Sequence, residues 1–466
     1  MKSHPKLTFC TGVGTVTGAN FLLETEKSKI LVDCGLVQDD RVGAVQNREV
    51  FQYDVSRIDV LLITHAHLDH VGRIAKLVKD GFVGAIYSTP QTKELAEIVL
   101  TDAVRLLAQE ALQNGEEPLY GPEDVQAIFP LWKTVEYHTQ TDITEDISIF
   151  LKDAGHILGS AMVEVTIRKE KGERRKEKDE ELKILFTGDL GNSPSPLLRD
   201  TESVGKVDYM VMESVYGDRN HEDKEGRDNQ FLKIINETIA RGGTLVIPAF
   251  SIDRTQVLLY ELNNMTETGK IPQVPVFVDS PMATSATDVY AGSTNLFNDK
   301  VRAQIEKGDD IFSFPKLKFT VSQFESSAIG AVEGPKIILA GSGMSVGGRV
   351  IGHEETYLGD SNSTILLVGY QTPGSIGRQL ADGAKKLQIH KHTYKVKAHI
   401  EKIYGYSAHK DSDHLVEFVS TAEEGIKKVF VAMGEPGASM HLAQRLNDEL
   451  TVTAVVPERL KVYELV

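Results

Sequence analysis

Three histidines and an aspartate, His65, His67, Asp69 and His70, fall within six residues in the stretch LLITHAHLDHVG. Imidazole nitrogen and carboxylate oxygen both suit zinc and other first-row metal ions. Two histidines one residue apart at the end of an apolar strand can turn both rings to one ion. Asp69 and His70, a turn later, can reach a second ion beside it. The bland alternative makes Asp69 a helix N-cap and the histidines surface polar groups. It leaves the local density of ligand-type residues unexplained.

One loop cannot close a two-ion site, so partners must come from elsewhere. DAGHILGSA offers His156 after the strand-like SIFLKDA, and ILFTGDLG offers Asp189 at another strand end before glycine. Either alone would pass as an ordinary turn residue. Asp33, which ends KILVDCG, is a candidate carboxylate to steady the histidine loop.

The elements that must position these residues are legible as short apolar runs. KLTFCTGVG, ANFLLET, KILVDCG and DVLLITHAH read as buried strands separated by turn signals. VGRIAKLVKDGF has helical spacing with a stop at Gly81, and residues 91–113 read as one or two helices before Gly115. The charged run 168–182 reads as a solvated hairpin tip. From about Val207 strands and helices alternate, as in a parallel α/β lobe, and near residue 390 the strand-rich style returns. The expectation is one α/β domain built from both chain ends and interrupted by a second lobe.

Bulk properties narrow the class. A length of 466 residues exceeds one small core, and 41% hydrophobic with 25% charged residues is ordinary for a soluble globular protein. A formal net charge of −16 argues against a broad basic surface for nucleic acid, while leaving room for a cleft whose positive charge comes from metals and a few arginines. Only Cys10 and Cys34 occur, so no disulfide framework is expected and a reducing, cytoplasmic setting fits. No stretch is long and apolar enough for a signal peptide or a membrane span.

THAHLDH, AGHILGSA and FTGDLG together resemble the metallo-β-lactamase superfamily. MESVYGDR (212–219), PAFSIDRTQVLLYEL (248–262), DSPMA (279–283), GSGMSVGGRVIGH (341–353), GYQTPGSIGRQLADG (369–383) and YSAHKDSD (406–413) narrow the resemblance to its β-CASP branch of RNA-processing nucleases. That branch includes bacterial and archaeal ribonucleases and the endonuclease subunit of the messenger-RNA cleavage-and-polyadenylation complex. The resemblance covers nearly the whole chain. It implies an α/β fold, an αββα sandwich with an inserted parallel α/β domain forming a cleft over the metals. Residues 1–208 and 389–466 would be the lactamase-like domain, and 209–388 the inserted β-CASP domain.

It also implies roles. His65, His67 and His156 would hold one zinc, Asp69 and His70 the second, and Asp189 would bridge them, with Mn2+ an alternative metal. A bridging hydroxide would attack phosphorus, so Asp69 counts as catalytic as well as a ligand. His409 would protonate the leaving oxygen as general acid, oriented by Glu213; the plainer reading has His409 capping a helix. One motif departs from the pattern. Where ribonucleases of the branch carry a metal-binding histidine, VFVAMGEPGAS has Met433, a soft neutral thioether poorly suited to zinc. The second site is expected to be weaker, with Glu435 or His441 as candidate substitutes. For the substrate, the backbone around Ser342 and Gly343, with Arg254, Arg349 and Arg378, would meet phosphates.

The leading expectation is therefore a zinc-dependent ribonuclease whose partner is RNA, with no membrane association. A homodimer or a targeting protein remains open. Met433 keeps two alternatives alive: a DNA nuclease of the same branch, and an RNA-binding scaffold with little or no cutting activity.

Overall fold

The computed structural model describes residues 4–38, 41–168, 181–221, 224–369, 371–372, 374–423 and 425–466. Most of the charged run expected as a hairpin tip, 169–180, lies outside the described residues. Two compact units result: Met1–Asn220 with His409–Val466, and His221–Ala408.

In the first unit the early apolar runs become the strands Lys6–Thr11, Asn20–Glu24, Lys29–Val32 and Val60–Leu62. The first three pair antiparallel, and Val60–Leu62, Ala85–Ser88 and Trp132–Thr134 extend the sheet in parallel. Val462–Glu464 pairs with Lys6–Thr11 and completes seven strands, so both ends of the chain share one sheet. A second seven-stranded sheet runs in the order Ala454–Val455, Lys428–Val431, Tyr209–Met212, Glu181–Phe186, Ala161–Arg168, Ile147–Asp153, Thr141–Asp142.

Strand alternation makes the layers. Tyr209 and Val211 join the cluster between the sheets, while Met210 and Met212 face the other way. The latter two pack with Leu415 and Phe418 of the helix Ser412–Ser420 and Leu442 and Leu446 of Pro436–Leu450. Between the sheets, Phe9 meets Phe21 at 5.3 Å and Phe430 at 5.4 Å between ring centroids, fastening one sheet to the other. Such aromatic pairs add roughly 0.5–1.5 kcal/mol each beyond their buried area.

Residues 91–113 form a single helix, Pro90–Asn114. Thr89 Oγ1 accepts the Thr92 N–H at its start, and Gly115, at φ 69°, ends it in the left-handed region. The helical pattern after His70 is instead split into Leu68–Val71 and Ile74–Lys79. The cause is competition for backbone groups. The Arg73 N–H goes to the Cys34 carbonyl, and the Asp69 carbonyl accepts the Ala19 N–H, so neither continues the helix.

The second unit holds a six-stranded sheet in the order Leu317–Phe319, Val276–Asp279, Lys336–Ala340, Thr244–Pro248, Thr364–Leu367, His399–Lys402. Every pairing in it is parallel. The divisions between units fall later than the expected 209 and 388. Tyr209–Met212 pairs on both sides within the first unit, and His399–Lys402 pairs with Thr364–Leu367 in the second. No described helix is long and apolar enough to cross a membrane.

Candidate metal centre

The ligand-type residues all follow strands of the first unit at their carboxyl ends. His65–His70 follow Val60–Leu62, His156 follows Ile147–Asp153, Asp189 follows Glu181–Phe186 and Glu213 follows Tyr209–Met212. Close approach of these loops requires glycine. A Cβ on Gly35 would lie 1.5 Å from the Asp69 carbonyl oxygen, and one on Gly188, at φ 55°, would lie 2.7 Å from Thr64 Cβ.

Asp189 is common to three groupings, each with ligand atoms within 4.8 Å of one another: His65–His67–His156–Asp189, Asp69–His70–Asp189 and Asp189–Glu213–His409. In the first, His67 Nδ1 lies 3.2 Å from both His65 Nε2 and His156 Nε2. Asp189 Oδ2 is 3.4 Å from His65 Nε2 and 3.6 Å from His156 Nε2. In the second, His70 Nε2 lies 3.3 Å from Asp189 Oδ1 and 3.8 Å from Asp69 Oδ2.

The outward hydrogen bonds fix which nitrogen faces inward. Asp33, itself at φ 58°, accepts the Thr64 N–H and the Thr64 hydroxyl at 2.8 Å each, and lies 2.8 Å from His70 Nδ1. Having donated its proton to Asp33, Thr64 Oγ1 accepts from His65 Nδ1 at 3.1 Å. Both rings thus spend Nδ1 on an outward partner and turn Nε2 to the centre, the arrangement a metal-binding histidine adopts. His70 Nε2 and Asp189 Oδ1 are buried without a hydrogen-bond partner. Unpartnered imidazole nitrogen and carboxylate oxygen converging with a second carboxylate fit a cation, and this donor set can hold metal.

Charge follows the same geometry. Burial, with neighbouring imidazoles, holds His67 and His156 well below the usual histidine value, in the neutral form that binds metal. Burial also pushes His70 down, but Asp189, Asp33 and Asp69 outweigh it and carry it well above. Against its own burial, Asp189 is kept well below the ordinary range by His70 and His65. Burial raises Asp69.

His409 Nδ1 sits 3.1 Å from Glu213 Oε1, and the same oxygen accepts the Leu190 N–H at 2.6 Å. Burial lowers the His409 pKa, yet Glu213 prevails and lifts it to about 9. Its ring lies 4.7 Å from that of His156. His409 caps no helix: Asp411 is the cap of Ser412–Ser420. Nor does Asp69 cap one, since the N-cap position is His67, without a side-chain bond.

Met433 follows the strand Lys428–Val431, and its sulfur would touch a Cβ on Gly12 at 2.7 Å. It belongs to the apolar cluster between the sheets. Glu435 and His441 are exposed on the helix Pro436–Leu450 or at its cap and join none of the three groupings.

The residues expected at phosphates lie in the second unit, and their side chains are mostly engaged. Arg349 Nη1 donates to Asp279 at 2.7 Å and to the Thr320 carbonyl, and Nη2 to that of Val321. Arg254 is buried, 5.5 Å from the Tyr406 ring, with Nε lacking a hydrogen-bond partner. Arg378 Nε donates to Asp382 one turn on. Ser342 and Gly343 are in the loop after Lys336–Ala340. Sequence reasoning missed Thr64 and Ser160, whose Oγ accepts the His156 N–H at 3.0 Å. Each lies within four residues of a ligand, the one signal that could have exposed them.

A two-sheet α/β sandwich with such a cluster at its strand ends defines a metal-dependent hydrolase. Comparison with known proteins gives the family. The chain matches the metallo-beta-lactamase superfamily domain over residues 22–172, the Beta-Casp domain over 255–380 and the Zn-dependent metallo-hydrolase RNA specificity domain over 393–457. It is 32% identical to Ribonuclease TTHA0252 of Thermus thermophilus over 92% of this chain and 93% of that one. With Transcription termination factor FttA of Methanosarcina mazei the identity is 30%, over 96% and 69%. An RNase J-like protein of Methanocaldococcus jannaschii shares 32%, over 94% of each. A crystal structure of a protein of unknown function from Enterococcus faecalis V583 shares the fold at a TM-score of 0.57 and 13% identity, covering 99% of this chain and 100% of that one. The chain belongs to the β-CASP branch of the metallo-β-lactamase superfamily.

Proposed function

We propose that this protein is a zinc-dependent ribonuclease that hydrolyses phosphodiester bonds of RNA. The observation that carries the reading is Asp189, whose carboxylate joins the His65–His67–His156 group, the Asp69–His70 group and the Glu213–His409 pair. One residue thus links the candidate metal ligands to a candidate proton donor. The family and the names of the relatives support RNA as substrate, with DNA the alternative. Residues 221–408 are read as the β-CASP domain, and the two cysteines, both buried thiols, fit a cytoplasmic location.

Two zinc ions, one on His65, His67, His156 and Asp189 and one on Asp69, His70 and Asp189, would supply Lewis acidity at phosphorus and ionise water near neutral pH. Asp33 and Thr64 hold the histidine rings in the tautomer that leaves Nε2 inward. Glu213, fixed by the Leu190 N–H, holds His409 by Nδ1 and leaves proton donation to Nε2. That proton would go to the oxygen leaving phosphorus. With Met433 in place of a histidine, a second ion on Asp69, His70 and Asp189 would have one protein ligand fewer and would bind more weakly.

The test is metal content of the purified protein, with single-stranded RNA and matched DNA assayed in the same preparation. About two zincs per chain, with RNA cut and the activity lost in Asp69→Ala, is the expected result. RNA bound but uncut under zinc and manganese would overturn the enzyme reading and leave a scaffold.

A further inference from the structure

The parallel sheet of the second unit reverses its order of filling between Thr244–Pro248 and Lys336–Ala340. The strand following Thr244–Pro248 in the chain, Val276–Asp279, lies beyond Lys336–Ala340, whereas the strand following Lys336–Ala340, Thr364–Leu367, lies beyond Thr244–Pro248. The two connections leave in opposite directions at the carboxyl ends of this central pair. Open α/β sheets take ligands at such switch points.

Two loops follow these strand ends, 249–253 and 341–349. The second is held from beneath. Ser345 Oγ donates to Glu354 at 2.5 Å, Gln371 Nε2 to the Gly343 carbonyl at 3.0 Å, and the Val350 N–H to the Gly341 carbonyl at 3.0 Å. The first carries Phe250. Its carbonyl accepts both the N–H and the hydroxyl of Thr255, so the backbone that aims the ring is fixed. The strand before it is buried throughout, and Ala249 is 1% exposed, yet Phe250 is 44% exposed. One edge of the ring is occupied by Gly343, where any Cβ would lie 2.8 Å from Phe250 Cδ2. A glycine there lets the loop backbone come directly against the aromatic ring.

A fixed, half-exposed aromatic ring touching a glycine-rich backbone loop pairs a stacking surface with potential hydrogen-bond donors. Base–aromatic stacking is the sequence-tolerant contact of single-stranded nucleic acids. We propose that Phe250 is a base-stacking residue: one nucleobase of the RNA lies on its exposed face while the 341–349 backbone meets the adjoining phosphate. This rests on the ribonuclease reading and adds what that reading lacks, a contact to a base.

The experiment measures equilibrium binding of zinc-loaded full-length protein to a single-stranded oligouridylate with an uncleavable backbone. A series carrying one abasic site at successive positions is measured alongside. Phe250→Ala should weaken binding about 5- to 100-fold, Phe250→Leu should weaken it as well, and Phe250→Trp should retain it. For one abasic oligomer the difference between wild type and Phe250→Ala should vanish. Phe250→Leu keeps apolar packing on Gly343, so an unchanged melting temperature there separates loss of stacking from loss of fold. Wild-type affinity in Phe250→Ala or Phe250→Leu overturns the proposal, as does a loss that persists with every abasic oligomer, since the ring would then act on RNA other than through one base. A wild type that cuts RNA while these variants bind normally refutes stacking alone. A wild type that neither binds nor cuts RNA refutes the ribonuclease reading and stacking with it.

Discussion

Asp189 in the first unit and Asp279 in the second are both buried carboxylates at strand ends, and their surroundings treat them in opposite ways. Asp279 is saturated. His353 and Ser326 meet one oxygen at 2.7 and 2.6 Å, and Arg349 and Thr320 meet the other at 2.7 and 2.6 Å. Asp189 has imidazole nitrogens at 3.3, 3.4 and 3.6 Å, and its Oδ1 has no hydrogen-bond partner. A saturated buried carboxylate ties elements together; one that faces imidazole nitrogens across a gap is arranged for something absent from the chain itself. Residue type and burial alone would not tell the two apart.

The largest effect should come from the unsaturated one. Asp189→Ala removes the residue shared by all three groupings. Hydrolysis of RNA should fall by at least about a thousand-fold, since metal ions are worth several kcal/mol to such a transition state. Bound zinc should fall too. A variant that keeps full zinc content and activity would end the comparison.

Asp279 should answer the other way, in stability rather than in metal. Asp279→Ala leaves Arg349 and His353 without their partner, and breaking a buried ion pair typically costs about 3–5 kcal/mol. Thermal melting and proteolysis within residues 221–408 should report the loss, with zinc content unchanged. The pH dependence has a definite sign. Burial pushes the Asp279 carboxyl up, but hydrogen bonds from His353, Ser326, Thr320 and Arg349 hold it well below its ordinary value. Its contribution is therefore complete above the unfolded value of about 4 and is lost as pH falls toward the folded one. Wild-type melting should drop on acidification below about pH 4 more steeply than that of Asp279→Asn.

Thr64→Val sharpens the comparison at smaller scale. The shape is kept, but the hydroxyl joining Asp33 to His65 Nδ1 is gone. Partners that orient metal-binding histidines are worth about 10- to 100-fold in affinity or activity. Zinc titration against a chelator should show a loss in that range, in a protein that still folds.

These cases also show what the sequence could reveal. His65, His67, Asp69 and His70 were legible because strand and loop bring them together locally, and His156 and Asp189 because each ends an apolar run before glycine. The commitment of Arg349 was not legible, because Asp279 lies on a strand 70 residues away and nothing near Arg349 announces it. The break between Leu68–Val71 and Ile74–Lys79 was hidden for the same reason, since Ala19 and Cys34 take the backbone groups that would have continued the helix. The ends of the inserted unit depended on strand pairing. Tyr209–Met212 looks like the first strand of an alternating α/β lobe until its neighbours on both sides are known.

Met433 is where local reading and fold pull apart, and it gives the smallest prediction. Val431 pairs beside Met212, and the Ser214 N–H donates to the Met433 carbonyl, so residue 433 lies at the same sheet edge as Glu213. Its N–H is held by the Gly12 carbonyl, and its backbone is left-handed at φ 46°. The backbone is thus fixed, and only the side chain differs from a ligand. In Met433→His, a buried imidazole without a partner would cost about 1–3 kcal/mol in the metal-free protein, which should melt lower than wild type. Zinc should then stabilise the variant more than the wild type, because a ligand that binds only the folded state adds stability that grows with the logarithm of its affinity. A second ion bound on the order of ten-fold tighter is expected from a zinc titration followed by melting. Equal zinc stabilisation in the two proteins would mean that residue 433 has no access to the Asp69–His70 site, and that the thioether is simply core.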